Sequence, residues 1–173
     1  MKRITTLMML ASLAGCASAP FTFEGENANK GFIVLSTGIA DACIDEFDHT
    51  TLLIRDAKTD ESVGGPIIKN LFSEPEFEEN HVQVNGIPLA AGDYVIRDFL
   101  SPTPFFALIP QFHAIKPIKF TVKPGQVQYQ GYIFFDAVKG ACSKDSAVVT
   151  LKNMKKRDME KVAESNPQLF AAQ

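Results

Sequence analysis

Hydrophobic and polar positions alternate in short segments along this chain from Gly31 onward. Segments rich in Val, Ile, Phe and Tyr are separated by Gly, Pro, Asn and Asp at intervals of about ten residues, which is typical of β-strands joined by turns. Near the end of the chain, Met159, Val162 and Ala163 form an apolar stripe at helical spacing, and Asn166-Pro167 is expected to end that helix. The predicted strands are 31–37, 50–57, 66–72, 81–85, 93–100, 105–109, 117–123, 127–136 and 146–152.

Turn signals refine this pattern. Pro124-Gly125 lies between two segments of period-two alternation and predicts a type II turn within a hairpin. Asn85-Gly86 predicts a second turn. The regular spacing predicts an all-β fold, an immunoglobulin-like or transthyretin-like β-sandwich with one short C-terminal helix, and a closed barrel is the main alternative. The chain has no tryptophan, which disfavours a true immunoglobulin domain within the sandwich class.

The N-terminus follows a different pattern. Lys2 and Arg3 precede the apolar run 4–13, which is too short to span a membrane as a mature helix. The sequence Leu13-Ala14-Gly15-Cys16 resembles the lipobox of bacterial lipoproteins, and this resemblance implies a mature chain that begins at Cys16 with acyl chains on it. The alternative is an ordinary secretory signal cleaved after Ala17 or Ala19.

These signals divide the chain into three parts. Residues 1–15 are predicted to be a lipoprotein signal peptide, 16–30 a lipidated tether, and 31–173 a β-sandwich domain with its C-terminal helix. The residue after Cys16 is Ala17. In the bacterial lipoproteins that this N-terminus resembles, Asp at that position is a signal for retention in the inner membrane. Ala17 therefore favours the outer membrane, with the domain on the periplasmic face. Within the tether, Phe21 and Phe23 would share one face of a short strand or lie near the membrane surface.

The net charge of the chain limits its possible partners, and its cysteine count predicts a disulfide. Removal of residues 1–15 leaves 15 basic and 20 acidic residues, a formal net charge of −5, so nucleic acid is not an expected partner. If Cys16 carries lipid, Cys43 and Cys142 remain as an even pair in an oxidising compartment, and a disulfide between them is predicted. Two free buried thiols or a redox pair are the alternatives, although the chain has no Cys-x-x-Cys motif.

Three segments together carry a family resemblance: LAAGDYVI at 89–96, FTVKPGQVQYQG at 120–131, and the late helix that ends near NPQL at 166–169. They resemble a broad group of small, mostly uncharacterised bacterial outer-membrane lipoproteins with a transthyretin-like or carboxypeptidase-regulatory-like β-sandwich. The resemblance spans about residues 31–170. It implies the fold and an envelope location, and it implies no catalytic residues.

Motifs that carry chemistry are missing from the sequence. It has no Gly-x-Ser-x-Gly, no His-Glu-x-x-His and no phosphate-binding Gly-rich loop, and we predict no catalytic residue, metal or cofactor. We expect the chain to be a lipid-anchored, non-enzymatic binding or structural module. Acyl chains on Cys16 would hold it at the membrane, and its expected partner is an envelope protein. The alternative is a periplasmic enzyme or metal-binding protein with a site assembled from dispersed residues such as His49, His81 and Asp98.

The loop that contains Phe105 and Phe106 is the predicted interaction surface. Pro102 and Pro104 stiffen it, and two adjacent side chains of an extended segment cannot both point into the core. One exposed ring would suit a partner or a hydrophobic ligand. The alternative is that the loop folds over an open end of the sandwich and buries both rings.

Overall fold

The computed structural model describes residues 20–45, 47, 50–66, 68, 75, 77, 79–101, 111–139, 142–143 and 147–171. Within them the chain forms eight β-strands and one α-helix, with short 3-10 turns between some of them. The strands are β1 (Lys30–Ile39), β2 (Thr51–Asp56), β3 (Ser62–Gly64), β4 (Gln83–Ala90), β5 (Gly92–Ser101), β6 (Gln111–Val122), β7 (Val127–Asp136) and β8 (Val148–Lys152). The helix is α1 (Lys155–Ser165).

The strands form two four-stranded sheets, in the orders β4-β1-β7-β8 and β3-β2-β5-β6. All neighbours are antiparallel except β1 and β7, which run parallel. The main core lies between the sheets and combines side chains such as Ile33 and Ile133 from the first with Leu52 and Ile96 from the second. The predicted all-β sandwich with one C-terminal helix is therefore confirmed.

Strand β1 is buried on both of its faces. One face points into the core between the sheets, where Ile33 and Leu35 are fully buried. The other face carries Phe32 and Val34, which pack against Val162 of α1. This double burial explains why 31–35 reads as an apolar run rather than an alternating pattern.

Two predicted turns have a different role in the structure. Gly125 adopts the positive φ of +69° that a type II turn requires, but β6 and β7 belong to different sheets, so the predicted hairpin is wrong. The turn instead carries the chain from one sheet to the other. Asn85-Gly86 lies inside β4, where Gly86 pairs with Val34, so the predicted turn is also wrong. A side chain at Gly86 would approach the Phe32 ring to 2.5 Å, which explains the glycine.

The strand boundaries were predicted unevenly. The bounds of β7 match the predicted 127–136, and β1, β2, β5 and β8 match within a few residues. The predicted strand 66–72 is wrong where it can be compared, since Pro66 and Ile68 are not in a strand and the pairing segment is β3. The predicted strand 105–109 lies outside the described residues.

Candidate functional site

The C-terminal helix lies on the outer face of the sheet that contains β1, and it contacts β1, β4 and β7. Val162 and Leu169 bury their side chains against Phe32 on that face. Phe21 and Phe23 join the same cluster, their rings meeting edge to face at 5.4 Å, although this segment forms no strand. The start of the described chain therefore packs beside its end.

A polar contact fixes the same arrangement. The Nε2 amide of Gln168 donates to the carbonyl oxygen of Phe21 at 3.3 Å, across 147 residues of sequence. Pro20, the first described residue, lines a groove of about 520 Å³ together with Lys161, Val162 and Asn166. Pro20, four residues after Cys16 in the sequence, thus lies next to α1.

A fully buried carboxylate holds the first turns of α1 to the sheet. Asp158 accepts hydrogen bonds from the Ser36 hydroxyl, from Tyr129 Oη at 3.0 Å and from Arg157 Nε at 2.8 Å. Tyr129 Oη in turn accepts from the backbone N–H of Met154 at 2.9 Å. A buried charge with three donors is well compensated, so this network serves to position the helix.

The environment of Asp158 also acts on its neighbours. Burial, with the Asp158 carboxylate as a smaller contribution, raises the pKa of Tyr129 to about 12, so the phenol stays protonated and can donate. The Arg157 guanidinium lies 4.8 Å from the Phe77 ring and 4.9 Å from the Tyr132 ring. These cation–π contacts add to its ion pair with Asp158 and keep it from acting as a free surface cation.

A second, open groove of about 980 Å³ runs along the exposed side of α1. We call it the helix groove. Lys155 and Lys156 line it and are exposed, and Met154 is 37% exposed. It is lined by Asn153, Met154, Lys155, Lys156, Arg157, Met159, Glu160, Ala163 and Phe170.

The two cysteines predicted to pair lie together in the structure. Cys43 ends a 3-10 turn just after β1 and is fully buried, and Cys142 follows β7. Their Cα atoms are 5.1 Å apart and the two side chains meet as a disulfide. The pair links the segments that follow two strands, β1 and β7, which are neighbours in one sheet, across 99 positions of sequence.

Several other predicted site residues lie outside the described residues, namely Cys16, His49, Phe105 and Phe106. After residues 102–110 the described chain resumes at Gln111, and the next residue, Phe112, is 57% exposed, with its ring 5.9 Å from the Arg55 guanidinium. On the neighbouring strand, Ser101 is buried and lies 3.1 Å from Nε2 of His113. This end of the sandwich therefore presents at least one aromatic ring to solvent.

The structure gives separate partners to His81 and Asp98, the two described residues of the alternative enzymatic or metal site. His81 Nε2 lies 3.5 Å from Asp41, whereas Asp98 accepts from Arg55 Nε at 3.0 and 3.1 Å. His81 precedes β4 of one sheet and Asp98 lies on β5 of the other. Within the described part of the chain, no three His, Cys, Asp or Glu residues group in a way that could hold a metal ion.

Sequence reasoning missed the roles of Asp158 and the helix groove. One signal for Asp158 was available, because it lies four residues before Val162 and therefore on the buried stripe of α1. The proximity of Ser101 and His113 depends on the register of β5 against β6, which no local pattern reports.

Among the described residues, no helix has the length and apolar character needed to cross a membrane.

Comparisons with known proteins add little to this picture. No protein-family model matches the sequence. No curated protein matches it. Among solved structures, the chain is similar to a leucine-rich repeat protein from Bacteroides thetaiotaomicron VPI-5482, with 9% sequence identity and a TM-score of 0.38. The alignment covers 69% of this chain and 14% of that protein, and a likeness at this level carries no argument about function.

Proposed function

We propose that this chain is a lipid-anchored protein of the bacterial outer membrane, whose β-sandwich acts as a non-enzymatic binding or structural module. The observation that carries the proposal is Leu13-Ala14-Gly15-Cys16 directly after a basic and then apolar N-terminus. The thiol of Cys16 would accept the lipid. A body attached in this way needs no membrane-spanning segment of its own.

Two features of the folded domain support this location and role. A cysteine pair able to form a disulfide is expected in an exported protein, because the cytosol keeps thiols reduced. The buried carboxylate of Asp158 and the mostly buried one of Asp98 are each paired with an arginine, which fits groups that hold strands and helix in place. A binding or structural role follows more readily from this arrangement than catalysis.

The test of the anchor is the intact mass and membrane fractionation of the exported protein. We expect the parent to carry acyl chains on Cys16 and to sediment with the outer membrane. A Cys16→Ser variant should lose both properties, whereas a Ser18→Ala variant, altered two residues away, should keep both. An unacylated parent, or a Cys16→Ser protein that stays with the outer membrane as firmly as the parent, would refute the proposal.

The binding role is assigned to the loop that carries Phe105 and Phe106, a few residues before the exposed Phe112 in the sequence. Aromatic anchors dominate many interfaces, at about 2 kcal/mol or more each. We expect Phe105→Ala or Phe106→Ala to abolish capture of an envelope partner by crosslinking while changing the free energy of unfolding by less than about 0.5 kcal/mol. The control is Val63→Ala on β3, a side chain that is 45% exposed. If both Phe variants unfold the domain and neither affects capture, the rings belong to the core.

A further inference from the structure

The position of α1 relative to the anchor has a geometric consequence. Cys16 lies four residues before Pro20, and four residues of fully extended chain reach at most about 14 Å. Pro20 shares a groove with Lys161 and Val162 of α1, and that 11-residue helix is only about 17 Å long. Acyl chains on Cys16 would therefore enter a bilayer within about one helix length of α1.

The exposed side of α1 has the chemistry of a membrane-surface contact. Met154, Met159 and Phe170 supply apolar surface to the helix groove. Lys155 and Lys156 lie beside them and are exposed, and among the described residues neither forms an ion pair. Long basic side chains that flank apolar ones are typical of segments that lie in the headgroup region of a bilayer.

Charge complementarity points to an anionic surface in particular. The mature chain would carry a net charge of −5, and yet two free lysines stand in the helix groove against the single free carboxylate of Glu160. Arg157 is already paired with Asp158. A lysine close to an anionic lipid surface is attracted to it, and the attraction fades within a Debye length. The short connection to Cys16 would allow these lysines to come within that distance of the bilayer surface.

We propose that the helix groove, with Lys155 and Lys156, is a second membrane contact that rests on anionic phospholipid once the chain is anchored. The inference rests on the proposed lipid anchor at Cys16. Its effect would be to orient the domain, with α1 toward the bilayer and the sheet β3-β2-β5-β6 away from it. A second copy of the chain in the same groove is the competing occupant that the experiment must distinguish.

The chain contains no tryptophan, so a single introduced indole reports its own surroundings without background. We would compare Met154→Trp in the helix groove with Phe112→Trp, an exposed apolar position on β6 of the opposite sheet. Each lipidated protein is placed in vesicles of phosphatidylethanolamine and phosphatidylglycerol that include brominated acyl chains. We expect bromine to quench the fluorescence of Met154→Trp strongly and that of Phe112→Trp hardly at all.

Charge reversal then tests the role of the lysines. Lys155→Glu with Lys156→Glu, added to Met154→Trp, should reduce the quenching severalfold, and uncharged phosphatidylcholine vesicles should do the same. The matched control is Lys116→Glu with Lys119→Glu, which makes the same change in net charge at two exposed positions on β6. That pair should leave the quenching unchanged.

The outcomes separate this inference from the anchor itself. If intact mass shows acylated Cys16 and the indole at 154 is not quenched, the membrane contact is refuted and the anchor stands. A shift to dimers in sedimentation velocity without quenching assigns the groove to a second copy, which also refutes it. If the parent is not acylated, the anchor fails, and cosedimentation of the unanchored chain with phosphatidylglycerol vesicles decides the contact. Binding that drops about tenfold with Lys155→Glu and Lys156→Glu supports it, and no binding refutes it.

Discussion

Asp158 is the residue on which the attachment of α1 depends most. A buried carboxylate is stabilising only while its hydrogen-bond donors surround it, and here Ser36, Tyr129 and Arg157 do so. Removing the carboxylate leaves these donors facing one another and leaves the Arg157 guanidinium, which is only 24% exposed, without its counter-charge. The polar contact is thus a cooperative unit in which each member satisfies the others.

We therefore expect Asp158→Ala to lower the free energy of unfolding by about 2 to 4 kcal/mol. The matched control is Glu160→Ala, which removes an exposed carboxylate from the same helix and should change stability by less than about 0.5 kcal/mol. Urea unfolding of both variants measures the difference. Equal stability of the two variants would show that the network does not hold the helix in place.

Tyr129 links this network to pH. Its pKa is about 12 in the folded chain, against about 10 for an unperturbed tyrosine, because burial and the Asp158 carboxylate oppose ionisation. The folded state therefore holds the phenolic proton more tightly than the unfolded state does. The stability from this proton is fully present below about pH 10 and is lost as the pH rises through about 12.

The expected result is a free energy of unfolding that falls between about pH 10 and 12, and falls less steeply in Tyr129→Phe than in the parent. The absorbance of tyrosinate gives an independent readout. The chain has three tyrosines, and the substitution should remove the one that ionises near pH 12. An unchanged slope together with an unchanged high-pH absorbance step would contradict this assignment.

At the scale of elements, the local pattern predicted strands well and their partners poorly. Period-two alternation placed 127–136 correctly because each side chain reports the face on which it lies. Pairing depends on contacts far apart in sequence, so the Pro124-Gly125 turn was recognised while its exchange between sheets was not. Gly86 misled the prediction for the same reason, since the Phe32 ring that requires a glycine there comes from another strand.

The candidate site could be predicted only in part, because most of its contacts join residues that are far apart in the sequence. The pairing of Cys43 with Cys142 followed from counting, because few cysteines leave few combinations. The docking of Phe21 against Phe32 and the closeness of α1 to the start of the domain depend on tertiary packing. No composition or spacing rule links residue 20 to the last helix.

The disulfide leads to a testable prediction at the scale of elements. A crosslink between positions 99 residues apart removes entropy from the unfolded chain corresponding to about 4 to 5 kcal/mol, before any cost in the folded state. We expect the double variant Cys43→Ser and Cys142→Ser to be less stable than the parent by a few kcal/mol, and reduction of the parent to reproduce the loss. Peptide mapping that finds both thiols free in protein from oxidised envelopes would contradict the pairing.

At the scale of the whole molecule, the sandwich has two unlike sides. The outer face of the sheet β4-β1-β7-β8 carries α1, the packed segment that leads toward Cys16 and the helix groove. The sheet β3-β2-β5-β6 ends at the edge strand β6, with exposed Lys116 and Lys119 and the ring of Phe112. With the anchor proposed at Cys16, the first of these sides would face the tether and the second would be left open to partners.

This polarity predicts a labelling pattern for the anchored protein. In vesicles that contain phosphatidylglycerol, an amine-reactive label should modify Lys155 and Lys156 severalfold less than it does in detergent, because headgroups cover their ammonium groups. Lys116 and Lys119 should be labelled equally in both, since they lie on the opposite sheet. Mass spectrometry of peptides gives all four values from one sample, and raising the salt concentration should restore labelling at Lys155 and Lys156 as screening weakens the contact. Equal protection of all four lysines would mean that the domain lies on the membrane without a preferred side, and protection of Lys116 and Lys119 alone would mean that it lies the other way round.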